Sequence, residues 1–220
     1  MTPATRQETQ GQQESKGQRT RRAGRPPLTE SHKAQTRLEI AMAAVRLFAE
    51  HGVDATSAAQ IAEAVGISPR TLWRYCPSKE ECVAPLLVSG LDRLVDSLRR
   101  WPADRPLVEA ADNTEWFAET SAQRLALTVQ LMRIARVEPA INAVWTRSYA
   151  EAVDPIAAVL AARAGREPTD LRMKVQAAML MAAMHQGMRD YVRRSPRAPG
   201  PELEQTLRAA ARIAFAAIEG

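Results

Sequence analysis

Two cysteines in 220 residues, Cys76 and Cys82, are too few for a disulfide framework, and no apolar run is long enough to span a membrane. The first residues are rich in Thr, Gln, Glu and Arg and lack the apolar core of a secretory leader, so a cytoplasmic protein is expected. Histidine is equally scarce: His32, His51 and His185 stand far apart, which speaks against a metal site. Cys76 and Cys82 are six residues apart, and six residues along a helix do not share a face, so the spacing also argues against a redox pair. No motif for phosphate cradling or nucleophilic catalysis is present, and the expectation is a protein that is not an enzyme and carries no cofactor. Alternating strand patterns are missing too, which leaves an all-α chain.

What is present is unevenly distributed. Residues 1–80 hold 12 Lys+Arg against 8 Asp+Glu, while the remaining chain is nearly neutral at 18 against 17, within an overall charge of +5. Positive charge concentrated in one part of a chain suits a polyanion, because neutralising phosphates releases condensed counterions. At 45% apolar residues the sequence can still build a core, and its length suits a small module fused to a larger one.

Residues 1–32 have almost nothing to bury and read as a disordered basic arm. Its end, with Arg19, Arg21, Arg22 and Arg25 around Gly24-Arg25-Pro26-Pro27, is either a hook for a narrow minor groove or a solvated tail. Leu38, Ala41, Met42, Val45, Phe48 and Ala49 form one stripe of a first helix that Gly52 ends. Ser57 with Gln60 has the form of a capping box, opening a second helix that buries Ile61, Ala62 and Val65. Gly66 permits a sharp turn, Ser68 caps and Pro69 starts a third helix anchored by Leu72, and Pro77 stops it. Ser78-Lys79-Glu80-Glu81 is a further capping-box start, and Pro85 predicts a kink or break near Glu81, a candidate joint between two regions or simply a static bend. Helical periodicity then continues at about 107–119, 121–136, 138–164 (bent at Pro155), 169–194 and 201–218.

The segment Ile61–Lys79 is a helix-turn-helix signature whose second helix carries Arg70, Thr71, Trp73, Arg74 and Tyr75, donors and flat rings suited to phosphates and base edges. Together with Leu47-Phe48-Ala49-Glu50-His51-Gly52, Thr56-Ser57, Val65-Gly66-Ile67-Ser68, Thr71-Leu72, Tyr75 and Ser78-Lys79-Glu80, it makes residues 38–87 resemble the TetR family of bacterial transcriptional regulators. Two residues depart from that pattern: Trp73 stands where the family usually has tyrosine, and Cys76 where it usually has phenylalanine. The resemblance implies a homodimer with two DNA-binding heads (33–80), each followed by a helical region (81–220) that dimerises and encloses a small-molecule pocket. Dimerisation is expected through 169–194 and 201–218, where Ala178, Ala182, Ala210 and Ala214 would permit close helix approach.

The expected DNA-binding set is Arg21, Arg22, Arg25, Thr56, Ser57, Ser68, Arg70, Thr71, Trp73, Arg74, Tyr75 and Lys79. Within it the resemblance assigns Thr71, Trp73, Tyr75 and Lys79 to the double-stranded operator's backbone, and Arg70 or Arg74 is the candidate for bidentate reading of guanine. Candidate walls of an effector pocket are Trp116, Phe117, Met132, Trp145, Tyr149, Met181, His185 and Met188, with Arg133, Arg136, Arg147 and Glu151 as possible polar partners; core packing is the competing reading for each. The expected effector is small and largely apolar, and the expected outcome is repression relieved by that effector, against a ligand-independent or activating regulator as the alternative.

Overall fold

The computed structural model describes residues 30–112, 121–195 and 199–219. The arm with Arg21, Arg22 and Arg25, and the candidate pocket residues Trp116 and Phe117, lie outside the described residues. Among the described residues the chain is helix and turn without strand, and no helix is long and apolar enough to cross a membrane.

Three helices form the head. In α1 (Glu30–His51) the buried residues are Ile40, Ala41, Ala43, Ala44, Val45 and Phe48, while Ala49, expected inside, is exposed. The buried face is wider than a single stripe because α1 is packed from several sides, by α2, the segment at 81–83 and two helices of the larger region. Gly52 adopts φ 86°, a left-handed conformation that costs glycine little and ends α1. Helix α2 (Ala58–Ala64) opens on a complete capping box: the Gln60 amide donates to Ser57 Oγ at 3.2 Å and the Ser57 amide donates to Gln60 Oε1 at 2.7 Å. Such a cap contributes about 1 kcal/mol and fixes where the helix begins. Helix α3 (Pro69–Leu72) is a single turn capped by Ser68, whose Oγ accepts the Thr71 amide at 3.1 Å. Turn-type backbone bonds carry the chain on to Tyr75 and Cys76, both donating to the Leu72 carbonyl.

A 3₁₀ turn, Glu81–Val83, comes next, its first amide donating to Ser78 Oγ at 3.2 Å, and α4 (Ala84–Arg100) follows directly. Pro85 therefore sits in the first turn of α4, where the missing amide hydrogen had no helical partner to lose, and α4 itself runs unbroken. The larger region continues with α5 (Leu107–Ala110), α6 (Ala122–Ala135), α7 (Pro139–Glu151), α8 (Val153–Ala164), α9 (Leu171–Arg194) and α10 (Pro201–Glu219). The single bent helix expected over 138–164 is in fact two. Pro155 cannot donate to the carbonyl of Glu151 and its ring crowds that turn, so α7 stops first, at Ala152, and Pro155 joins the opening turn of α8. Of the expected α5 helix only the first turn falls among the described residues.

Helix α9 packs along α10 and α8, α4 lies against α7 and α8, and α1 reaches α6. Helices α9 and α10 approach closely at Gly187, where a Cβ would stand 3.0 Å from that of Ala210. Ala178 and Ala182 are exposed on α9, Ala210 is half-buried, and Ala214 is buried within the chain, which removes it from the surface expected to meet a second copy. One apolar core runs without interruption from Ile40 in α1 to Ile218 in α10.

Candidate nucleic-acid interface and effector cavity

The turn at Gly66 and the cap at Ser68 present α3 with one face in and one face out. Leu72 is fully buried and anchors the inner face. Outward, Ser68, Arg70 and Arg74 are exposed, Thr71 and Tyr75 are half-buried, and Trp73 is 49% exposed, a high value for an indole. Arg70 and Arg74 form no ion pair with the described residues, so two guanidinium groups and an indole share one surface with the Ser68–Thr71 hydroxyl pair at 2.8 Å. A surface so composed can bond phosphate oxygens and reach base edges.

Two of the expected contacts are placed differently. Thr56 is buried and its hydroxyl donates to the carbonyls of Gly52 at 2.8 Å and Leu47 at 3.3 Å, so its side chain shapes the 52–57 loop from inside. Lys79 is half-buried and its ammonium is shared among the carbonyls of Val53 (2.7 Å), Thr56 (3.0 Å) and Asp54 (3.4 Å). It clasps the loop that leads into α2 to the segment that follows α3. Ser57 is exposed, with its hydroxyl already engaged by Gln60.

In the larger region a cavity of about 80 Å³ is bounded by Leu86, Leu87, Leu91 and Leu94 of α4, with Leu125, Thr128, Met132, Tyr149, Met188, Leu207, Gly90 and Arg93 completing it. Three of the expected wall residues, Met132, Tyr149 and Met188, meet there. Trp145 and His185 stand behind Tyr149 in an aromatic cluster: ring centroids are 4.5 Å apart for Trp145–His185, 5.1 Å for Tyr149–His185 and 6.0 Å for Trp145–Tyr149. Burial pushes the Tyr149 phenol up to about 12, keeping it protonated, and burial followed by the nearby Arg189 charge lowers His185 below the ordinary histidine value. His185 Nε2 is buried without a hydrogen-bond partner, while Trp145 Nε1 is buried beside the Tyr149 hydroxyl, with no well-formed hydrogen bond but near enough to offset part of that phenol's upward shift. Trp145 also borders a separate cleft of about 300 Å³ with Asn142, Arg136 and Arg189, while Met181 is packed in the core.

The sequence of residues 40–86 matches the model of the bacterial regulatory proteins of the tetR family, and residues 107–216, half of the chain, match that of the MftR C-terminal domain. The HTH-type transcriptional regulator TcmR of Streptomyces glaucescens is 30% identical over 153 residues, which cover 66% of this chain and 67% of that protein. The chain belongs to the TetR family. Salmonella enterica GusR shares the fold with a TM-score of 0.51 at 24% identity, over 86% of this chain and 98% of that one. This TetR-family chain is accordingly a DNA-binding transcriptional regulator.

The structure of this regulator also brings forward a residue that sequence reasoning missed. Arg147, considered as a pocket contact, instead places its guanidinium on both carboxylate oxygens of Glu81 in the 3₁₀ turn, with Glu151 at 3.6 Å as a second partner. The pair joins α7, the helix of Trp145 and Tyr149, to the segment between the head and α4. Sixty-six residues separate the partners, and no local pattern marks Glu81 for that role.

Proposed function

We propose that this regulator is a ligand-responsive repressor, released from a palindromic operator by a small, largely apolar effector that enters the cavity between α4, α6 and α7. The observation that carries this reading is the cavity's wall: four leucines of α4, the helix continuous with the head's exit segment, border it directly. Pockets for drug-sized ligands measure roughly 300–1,000 Å³, so an effector of that size has to widen an 80 Å³ space of which α4 forms the leucine wall. The orphaned His185 nitrogen adds a preference for an effector bearing at least one polar group beside its apolar body. An effector with equal affinity for both conformations would shift nothing, so it must bind the widened form better.

The head meets DNA through Arg70, Thr71, Trp73, Arg74 and Tyr75, with Ser57 and Ser68 beside them. Arg70 reads a base, and Lys79 acts through the loop it clasps. A second copy is expected on the outer face of α9 and α10, where Val175, Met179 and Ile213 remain exposed, Ile213 at 73%. Two-fold symmetry then sets half-site centres roughly 34 Å or somewhat more apart.

Footprinting on the DNA flanking its own gene, with random competitor and a salt series, tests the reading. The expected result is a symmetric protected site that survives competitor and is lost as a library of hydrophobic metabolites is titrated in. Protection that no compound relieves would favour the ligand-independent regulator instead.

A further inference from the structure

We propose that the cleft where the turn between α6 and α7 meets α9 binds a small organic anion, a carboxylate on an apolar body, with Arg136 and Arg189 as its charged contacts. The cleft measures about 300 Å³ and is bordered by Arg136 and Val137 of the turn, Pro139, Asn142 and Trp145 of α7, and Arg189 of α9. A second cleft of about 260 Å³ shares Arg136 and Arg189 with the first and adds Gln186, Asp190 and Arg193. The two arginines thus stand at the boundary of both spaces.

The charge there is one-sided. Asp190 is the single carboxylate among the residues bordering either cleft, and it is already held by Arg193 at 2.7 Å and Arg194 at 2.5 Å. Arg136 and Arg189 are exposed, and their guanidinium groups make no ion pair and no side-chain hydrogen bond among the described residues. Glu138, two residues from Arg136, borders neither cleft. Helix α7 adds to the same sign. The side chain of its N-cap, Glu138, makes no capping hydrogen bond, and Pro139 and Asn142 of its first turn border the cleft. A helix N-terminus carries the equivalent of about half a positive charge, which reinforces the two arginines.

The shape of the cleft selects the rest of the ligand. A guanidinium fork matches a carboxylate in bidentate fashion, so the arginines fix the head group. An inorganic ion would leave most of 300 Å³ unfilled, and the remaining border is apolar: Val137 is 75% exposed, Pro139 is exposed and Trp145 is buried alongside. An apolar body attached to the carboxylate covers that surface. The cleft shares no bordering residue with the cavity walled by the α4 leucines, so the inference goes beyond the effector reading and does not rest on it. Trp145 is the link between them, its ring 6.0 Å from that of Tyr149, which borders the cavity.

The test is calorimetric titration of the full-length protein with 2-naphthoate, octanoate, 2-naphthamide and inorganic phosphate. At least one of the two carboxylates should bind saturably, once per chain, and more weakly as sodium chloride is raised. The neutral amide and bare phosphate should bind at least about tenfold less tightly than that carboxylate. Arg136→Gln and Arg189→Gln, both at exposed positions, should each lower its affinity by a factor of about 10–100. Arg100→Gln, on the surface of α4 and outside both clefts, should leave it unchanged. No saturable binding of either carboxylate, equal binding of the amide or of phosphate, or affinity indifferent to both arginine substitutions would overturn the proposal. So would a loss of duplex binding by Arg136→Gln and Arg189→Gln with no anion added, which would give the two arginines to DNA.

Discussion

The head and the larger region of this regulator treat polar groups in opposite ways. In the head, Ser57, Gln60, Ser68, Thr56, Ser78 and Lys79 each satisfy a helix end or a loop carbonyl, and no buried polar side chain is left over among its described residues. In the larger region His185 Nε2, Tyr191 Oη and Arg208 Nε are all buried without partners. An unanswered buried donor costs about 1–3 kcal/mol, so the larger region holds its shape at a polar cost that the head avoids.

The sharpest way to break that comparison is to damage the head's anchor. Leu72→Ala removes a fully buried side chain from beneath α3 and should cost about 2–5 kcal/mol in urea unfolding, with DNA binding lost. A cost near zero would mean that α3 is not held by packing. Trp145→Phe makes the converse test: it removes an indole N–H that lacks a well-formed hydrogen bond but also takes ring volume from a fully buried site, so its cost in urea unfolding should stay below that of Leu72→Ala. A loss as large as that of Leu72→Ala would show that the larger region is as fully satisfied as the head.

Within the head the two cations should separate cleanly. Arg70→Ala should remove ~1–3 kcal/mol of discrimination between selected and random duplex. Lys79→Met should weaken both duplexes alike, because it acts through the shape of the 53–57 loop; competition binding reads the two effects side by side.

The smallest effect is a pH dependence. His185 titrates below its unfolded value of about 6.5 because burial and Arg189 disfavour its charged form, so the unfolded chain binds the proton more readily. The neutral ring's contribution is fully present above that value and is lost as pH falls through the lowered folded value. Thermal unfolding of wild type should therefore weaken more steeply below about pH 6.5 than that of His185→Gln, and identical slopes would remove His185 from the account.

The order of these effects follows what the amino-acid sequence could and could not show. Caps, turn glycines and the Leu72 anchor are local, each readable from residues three or four apart, and the starts of α2 and α3 were legible on that account; α1, by contrast, begins at Glu30, inside the stretch expected to be a disordered arm, and α3 ends at Leu72, ahead of Pro77. Pro155 misled because its effect falls on residues before it: the break lies at Ala152. Thr56 and Lys79 have the right types for DNA contacts but are claimed by carbonyls across a loop, which no spacing reports. Met132, Tyr149 and Met188 do share one cavity, yet its α4 wall and the Glu81–Arg147 pair join residues far apart in sequence.

Because α1 packs on α6 as well as on its own neighbours, and the core passes from Ile40 to Ile218 without a gap, the chain is no pair of interchangeable cassettes. Anyone transplanting this reading head onto another sensor would have to carry across the far side of α1 and its mate on α6. A cut at the visible end of the helix-turn-helix would leave that face of α1 without the surface it packs on.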